Sequence, residues 1–188
     1  MHIKLIASVP HTGTQTLVSL SEGTVLEIGV LFKSKTMLAR EVSPGAFERG
    51  LCFTGNVLWG HFIPQHMKFI QVLAIQSEFY IPLRDPLASL CTTIHNDQSH
   101  GPIHLESWRL LAECIYPVQA LYNPTFIPMT DDLPVVNSKG DYYLKQAYEA
   151  QDKAVLGRLP EWTELCHMEP LLRPMLEEYG YKDLLWWS

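Results

Sequence analysis

No run of Lys and Arg occurs anywhere in the 188 residues, and the formal net charge is -6. A general nucleic-acid binder or an anionic-membrane binder needs a basic surface, so neither partner is expected, although a local positive pocket remains open. Cysteine is sparse too. Cys52, Cys91, Cys114 and Cys166 are far apart with no CxxC, which excludes the usual zinc spacing and a disulfide framework and leaves buried free thiols. No apolar run reaches membrane-spanning length. The first one, Ile3–Val9, is too short for a secretory signal and is followed at once by a polar loop. The expectation is a soluble, cytoplasmic protein without internal repeats. Its 47% hydrophobic content is enough for one cored domain over residues 1–188.

The most informative stretch is Lys4-Leu-Ile-Ala-Ser-Val-Pro-His-Thr-Gly-Thr-Gln-Thr-Leu17. An apolar run, Ile3–Val9, suits one buried strand. It breaks at Pro10 and Gly13, and a helical pattern follows over Gly13–Ser21, closed by Glu22-Gly23. Strand, Gly-containing loop and helix start together make an anion cradle from backbone N–H groups and the positive end of the helix dipole, with Thr12, Thr14 and Thr16 as hydroxyl donors. It is not a nucleotide-triphosphatase P-loop, which needs Gly-Lys-Ser/Thr where this chain has Gly13-Thr14-Gln15. The bland alternative is a plain strand–turn–helix.

Further along, Thr24–Leu31 is a short strand or a loop, and 32–49 reads as a surface excursion. Leu51–Trp59 reads as a second strand, Pro64–Ile75 as a helix or helical turn, and Glu78–Leu83 as a core strand. Helices are expected over Leu87–His95 and His104–Tyr116, the second stopped by Pro117. Thr125–Met129 is a strand, and Tyr142–Ala154 and Glu161–Tyr179 are helices, the last kinked by Pro170 and Pro174. The aromatic segment Tyr181–Trp187 is expected to pack back on the domain. Strands alternating with helices predict an α/β fold, with a central parallel sheet and helices on both faces. Ligands in such sheets bind at the carboxyl ends of the strands, where His11–Thr16, Gly60-His61 and Arg84–Thr92 all fall.

Two of those loops carry chemistry of their own. Arg84 offers a forked pair of charged donors, and Ser89 and Thr92 share a face of the following helix, a plausible phosphate clamp. Arg84-Asp85-Pro86 also serves as an ordinary helix-start turn. In Trp59-Gly-His61-Phe62, Gly60 lets backbone approach a ligand and His61 is suited to general-base work near neutral pH, or to a structural hydrogen bond. His95, His100 and His104 lack metal-ligand spacing and are read as loop and helix-cap residues, and Asp131-Asp132 as solvent contacts, so no metal site is expected.

Pro10-His-Thr-Gly-Thr-Gln-Thr16 resembles the 5'-phosphosulfate loop of the sulfotransferases, typically Pro-Lys/Arg-Thr/Ser-Gly-Thr-Thr, with His11 where that family usually has Lys or Arg. Arg84-Asp-Pro-Leu-Ala-Ser-Leu-Cys-Thr92 is similar to the family's 3'-phosphate motif, with Thr92, eight residues after Arg84, or Ser89 as the hydroxyl partner. Gly60-His61 resembles the pair that carries the proposed base of uronyl 2-O-type members. Glu27 is the alternative base, because some bacterial members place a Glu after the second strand. Asn137-Ser138-Lys139 resembles a late segment that closes over the nucleotide. The resemblance implies a three-layer α/β/α, P-loop NTPase-like fold and 3'-phosphoadenosine 5'-phosphosulfate as donor, leaving 3'-phosphoadenosine 5'-phosphate. It implies sulfuryl transfer, without a metal, to a hydroxyl or amine of a carbohydrate or small-molecule acceptor. Loop residues His11, Thr12, Gly13, Thr14, Gln15 and Thr16 would hold the 5' side, with His11 assisting the leaving group as a cation. Alternatives are a small-molecule or nucleotide kinase of the same fold, and a nucleotide-binding module without catalysis. Trp59, Phe62, Trp108 and Tyr122 are candidate lining for an acceptor pocket or, equally, core.

Overall fold

The computed structural model describes residues 3–21, 25–28, 57–96, 100–129 and 142–188. Among the described residues, five strands pair in the order β2-β3-β1-β4-β5: β1 is Lys4–Ser8, β2 Val25–Glu27, β3 Val57–His61, β4 Glu78–Leu83 and β5 Thr125–Pro128. Every pairing is parallel. The central strands are nearly continuous apolar runs, as strands covered on both faces must be, and Leu5, Leu58, Ile81 and Leu83 are fully buried. Helices α1 (Thr14–Ser19), α2 (Pro64–Ala74), α3 (Pro86–Asn96) and α4 (Gly101–Leu110) connect the described strands. This α/β arrangement is compatible with three layers.

The strand order positions the site. The connection from β1 runs toward β2 at one edge, and the connection from β4 runs toward β5 at the other. Right-handed crossovers moving in opposite directions lie on opposite faces, so the loops after β1 and β4 part and leave a crevice between them. Those loops carry Pro10–Gly13 and Arg84-Asp85.

Several expected boundaries shift for local reasons. The first helix is shorter than Gly13–Ser21, spanning Thr14–Ser19, with Gly13 as its N-cap at φ 112. The long central helix begins at Gly101, earlier than His104. It leaves α geometry before Pro117, passing through a π turn at Leu111–Ile115 and a 3-10 turn at Tyr116–Val118 into the short helix α5 (Gln119–Tyr122). Pro117 lacks an N–H and its ring crowds the carbonyl four residues back, so the preceding turn widens. Tyr142–Ala154 is two helices, α6 (Tyr142–Glu149) and α7 (Lys153–Leu156). Gln151 takes a left-handed φ of 54, and the Asp152 carboxylate caps the new start by accepting from the Ala154 and Val155 N–H groups. Glu161–Tyr179 also divides, into α8 (Trp162–His167) and α9 (Glu169–Glu178), because Pro170 falls in the first turn of α9, where a missing N–H costs nothing. Pro174 lies inside α9. Residues 29–56 and 130–141, which include the expected surface excursion, the start of the second strand, Asp131-Asp132 and Asn137-Ser138-Lys139, lie outside the described residues.

The C-terminal segment packs back on the domain, and a buried carboxylate holds it there. Asp85 is 5% exposed. It accepts the Leu87 N–H at 2.9 Å, the Trp186 Nε1–H at 3.0 Å and the Tyr148 hydroxyl at 2.6 Å. One side chain thus starts α3, ties α6 to it and clamps the end of the chain. Nearby, the Tyr181 hydroxyl donates to the Leu83 carbonyl at 2.7 Å. Burial raises the pKa of Asp85, against the opposing pull of its hydrogen bonds from Tyr148, Leu87 and Trp186 and of the Arg84 charge.

Asp85→Ala leaves the Tyr148 and Trp186 donors unpaired and is expected to lower unfolding free energy by about 3 kcal/mol, read by urea denaturation. Asp85→Asn keeps an acceptor for Leu87 and Trp186 and offers Tyr148 a donor, so most of that stability should be retained. Because the folded pKa of Asp85 is raised, its contribution is fullest below the ordinary carboxylate range and declines as pH rises through the raised value. Asp85→Asn should lack that decline. Equal losses in the two variants would refute the hub.

Candidate functional site

At the carboxyl edge of the sheet, β1 and β3 end side by side with Ser8 opposite His61 in the register. Residues opposite one another in a parallel pair point to the same face, so Ser8 and His61 project together. The Ser8 hydroxyl lies 3.0 Å from His61 Nδ1 and also hydrogen-bonds the Thr14 hydroxyl. Its contact to the Gly60 carbonyl is 3.5 Å, at the outer limit. Thr14 is the first residue of α1, so a strand end, a helix start and the imidazole of the next strand are joined by side-chain hydrogen bonds. The Phe62 N–H closes the edge on the Ser8 carbonyl at 2.9 Å. Ser8 has no chemical signature in the sequence. Only the period-2 alternation of β1 and the strand pairing identify it.

The loop between β1 and α1 is shaped by two positive φ values, 61 at His11 and 112 at Gly13. Gly13 needs its missing Cβ twice: for that φ, and because an added Cβ would run into the Met129 thioether packed over it. Of the three threonines, Thr12 turns its hydroxyl back to the Val9 carbonyl at 2.8 Å, and Thr14 joins the Ser8 bridge. Thr12, Thr14 and Thr16 are all buried, whereas Gln15 is exposed. Arg84, leaving β4, reaches across the crevice and donates from Nη1 to the His11 carbonyl at 3.3 Å. Two motifs 73 residues apart in the chain therefore meet.

The remaining candidates divide. Ser89 is fully buried, donating to the Pro86 carbonyl at 3.0 Å and 2.9 Å from His104 Nε2, so its hydroxyl faces α4. The Thr92 hydroxyl is half-buried and donates to the Ala88 carbonyl at 3.1 Å. Glu27 ends β2 opposite Trp59, on the same sheet face as His61, half-buried and with its pKa raised by burial. His104, expected as a loop or helix-cap residue, is a fully buried residue of α4, because the helix starts earlier and turns it onto Ser89. Gly60 admits no ligand on its bare side, since a Cβ there would lie 3.0 Å from Ile28 Cδ1. Phe62, Trp108 and Tyr122 are buried in the core, while Trp59 stays half-buried with its ring 5.7 Å from that of His61. Among the described residues, no group of three or more His, Cys, Asp or Glu is placed to hold a metal ion. No helix among them is long and apolar enough to cross a membrane. A groove of about 450 Å³ lies between α7, α8, α9 and the C-terminal segment, and none of its lining residues belongs to the loops after β1, β3 or β4.

Among the described residues, the site sets imidazoles of lowered pKa beside the guanidinium of Arg84. Burial, with the neighbouring His11 and His66, lowers His61 to about 4 despite an opposing hydrogen bond with the Ser8 backbone. Burial lowers His66 to about 4, and burial with His11 and His61 lowers His104 to about 3. His11 is lowered by burial, then by the charges of Arg84 and His100. A lowered pKa works against the expected cationic His11, and the Arg84 guanidinium lies beside the same loop.

Gly13→Ala must hold a Cβ at an unfavourable φ and displace Met129, and is expected to cost about 1–3 kcal/mol in urea denaturation. Acid should destabilise the fold through the histidines. Their folded pKa values lie below the ordinary one, so the unfolded chain takes up protons first, and stability falls as pH drops from about 6.5 toward 4. A denaturation midpoint constant from pH 7 to 4 in Asp85→Asn, which removes the opposing carboxylate, would refute this. Comparison with protein-family models, with curated proteins and with solved structures finds no match, so the reading of this site rests on its own chemistry.

Proposed function

We propose that the chain is a sulfotransferase-like protein of the P-loop-like α/β type. In this reading it binds 3'-phosphoadenosine 5'-phosphosulfate at the crevice between β1 and β4 and transfers the sulfuryl group to a hydroxyl or amine of a carbohydrate or small molecule. The observation that carries the reading is the Arg84–His11 contact, because the 5'-side loop and the residue suited to the 3'-phosphate share one crevice. The residues fit the donor in part. The loop backbone and the Thr14 hydroxyl suit a sulfate or phosphate, and Arg84 supplies the charge. Ser89, buried against His104, does not reach the crevice without repacking, so the half-buried Thr92 is the hydroxyl left to partner Arg84. An anion seated against Gly13 displaces Met129, whose flexible thioether moves at little cost.

In the reaction, an S–O bond forms to the acceptor oxygen as the S–O bond to the phosphate breaks. The protein's part is positioning and charge stabilisation. His61, neutral at working pH, accepts the hydroxyl proton, while Arg84 and the loop N–H groups stabilise the leaving phosphate. Glu27, two strands from β1 and on the same sheet face as His61, is the alternative acceptor of that proton. The lowered pKa of His11 favours a second reading, a module that binds the nucleotide without turnover.

Calorimetric titration with 3'-phosphoadenosine 5'-phosphate, without added metal, is expected to show binding that Arg84→Ala weakens at least tenfold. Binding of magnesium–ATP alone would point to a kinase, and binding of neither nucleotide would remove the reading. With an acceptor in hand, His61→Ala should lower kcat about a hundredfold and leave nucleotide affinity unchanged. Unchanged kcat would pass the role to Glu27, and binding without turnover by the wild type across an acceptor panel would favour the module.

A further inference from the structure

Two hydroxyls separate the loop from the imidazole. Thr14 Oγ1 bonds Ser8 Oγ, and Ser8 Oγ lies 3.0 Å from His61 Nδ1. Each hydroxyl carries a single proton, and a neutral imidazole carries one proton on one of its two nitrogens. The direction of every bond in the chain is therefore set by the direction of the first. We propose that an anion in the loop fixes the tautomer of His61 through Thr14 and Ser8, so that filling the loop prepares the base. The proposal rests on the loop being the anion site and on His61 being the base.

The proton count is closed. An anion can only accept, so a Thr14 hydroxyl that contacts it donates to it. Thr14 then has no proton left for Ser8, and the bond between the two hydroxyls must be donated by Ser8. That uses the one proton of Ser8, so Ser8 can only accept from the ring, and the ring proton must sit on Nδ1. Nε2 is left with a bare lone pair, the form that accepts a proton from an acceptor hydroxyl. With no anion, Thr14 donates to Ser8 as readily as it accepts from it. Ser8 then donates either to Nδ1, which moves the ring proton to Nε2, or to the Gly60 carbonyl 3.5 Å away. A charge-assisted bond to an anion, roughly twice as strong as a neutral one, decides between the two directions.

The surroundings keep this count from being bypassed. Ser8 is fully buried, so bulk water does not supply it with alternative partners. Water in the empty loop can either donate to Thr14 or accept from it, whereas an anion can only accept. His61 remains neutral at pH 7, its pKa being lowered to about 4, so tautomer and not charge is the variable. Register holds Ser8 opposite His61, and β1 ends there, so the bridge is rigid at its middle. Thr14→Val removes the first hydroxyl with little change of shape, and Ser8→Ala removes the second.

The test is ¹⁵N NMR of the imidazoles, with the His61 signals assigned by their loss in His61→Gln. It is run at pH 7 with and without 3'-phosphoadenosine 5'-phosphate, and again with inorganic sulfate. Calorimetry is run on the same samples. The expected result is a mixture of tautomers in the free protein and a single Nδ1–H form, with bare Nε2, when either anion is bound. In Ser8→Ala the nucleotide still binds but the mixture persists; Thr14→Val, which also loses a hydroxyl that contacts the anion, binds more weakly and keeps the mixture at saturating nucleotide, and Thr14→Ser restores both binding and the switch. Heat of binding with no change at His61 overturns the relay and leaves the anion site standing. A switch that survives in Thr14→Val overturns it as well, because the coupling then runs by another route. Absence of binding by both anions in the wild type overturns the site and the relay together. Ser8 and Thr14 act here as positioning residues, and a merely structural role for them would not move the tautomer.

Discussion

Strand β1 is hydrogen-bonded on both sides, to β3 through Lys4–Ser8 and to β4 through Lys4–Ile6. In a parallel sheet this obliges the loops after all three strands to leave from one edge. The rest follows from that constraint. Ser8 meets His61 because their strands are in register, and Arg84 meets the His11 carbonyl because β4 flanks β1 on the side where the crossovers diverge. A different neighbour for β1 would have scattered the same side chains over the surface.

Buried polar groups hold this edge in place, and each has its own account. Asp85 is desolvated without a tight ion pair among the described residues, yet three donors satisfy it, one from its own helix start, one from α6 and one from the C-terminal segment. Ser89 and His104 satisfy one another between α3 and α4, though His104 Nδ1 finds no partner among the described residues. An unmet buried acceptor costs on the order of 1–3 kcal/mol, and its neutral imidazole is what makes the site tolerable. The Arg-Asp-Pro turn therefore has two jobs. Arg84 faces the crevice, and Asp85 faces inward and fastens the end of the chain to the same strand terminus.

Much of the fold was legible in the sequence. Ile3–Val9 and Glu78–Leu83 read as core strands because continuous short apolar runs bounded by turn residues suit strands covered on both faces, and β1 and β4 occupy them. The helix ends were less legible. Pro117 signalled a stop, but not the π turn that precedes it, and Gln151 gave no sign of the left-handed turn that divides α6 from α7. In the site, the positions of His61, Arg84 and the loop at the sheet edge were foreseen from strand ends. The turning of Ser89 toward His104, the filling of the space beside Gly60 by Ile28 and the part of Ser8 were not.

The division has a physical cause. Composition and local periodicity determined the class of fold, because burial on one face or two is written at spacings of two to four residues. They also determined the backbone form of the loop after β1, because Gly13 tolerates a φ that other residues resist. Tertiary structure decided everything that needs a distant partner. The order of the strands, the lowered pKa of His11 beside Arg84, the three donors of Asp85 and the bridge from Thr14 to His61 join residues up to 101 positions apart. A local pattern says that a side chain is buried, and only the folded chain decides what it is buried against.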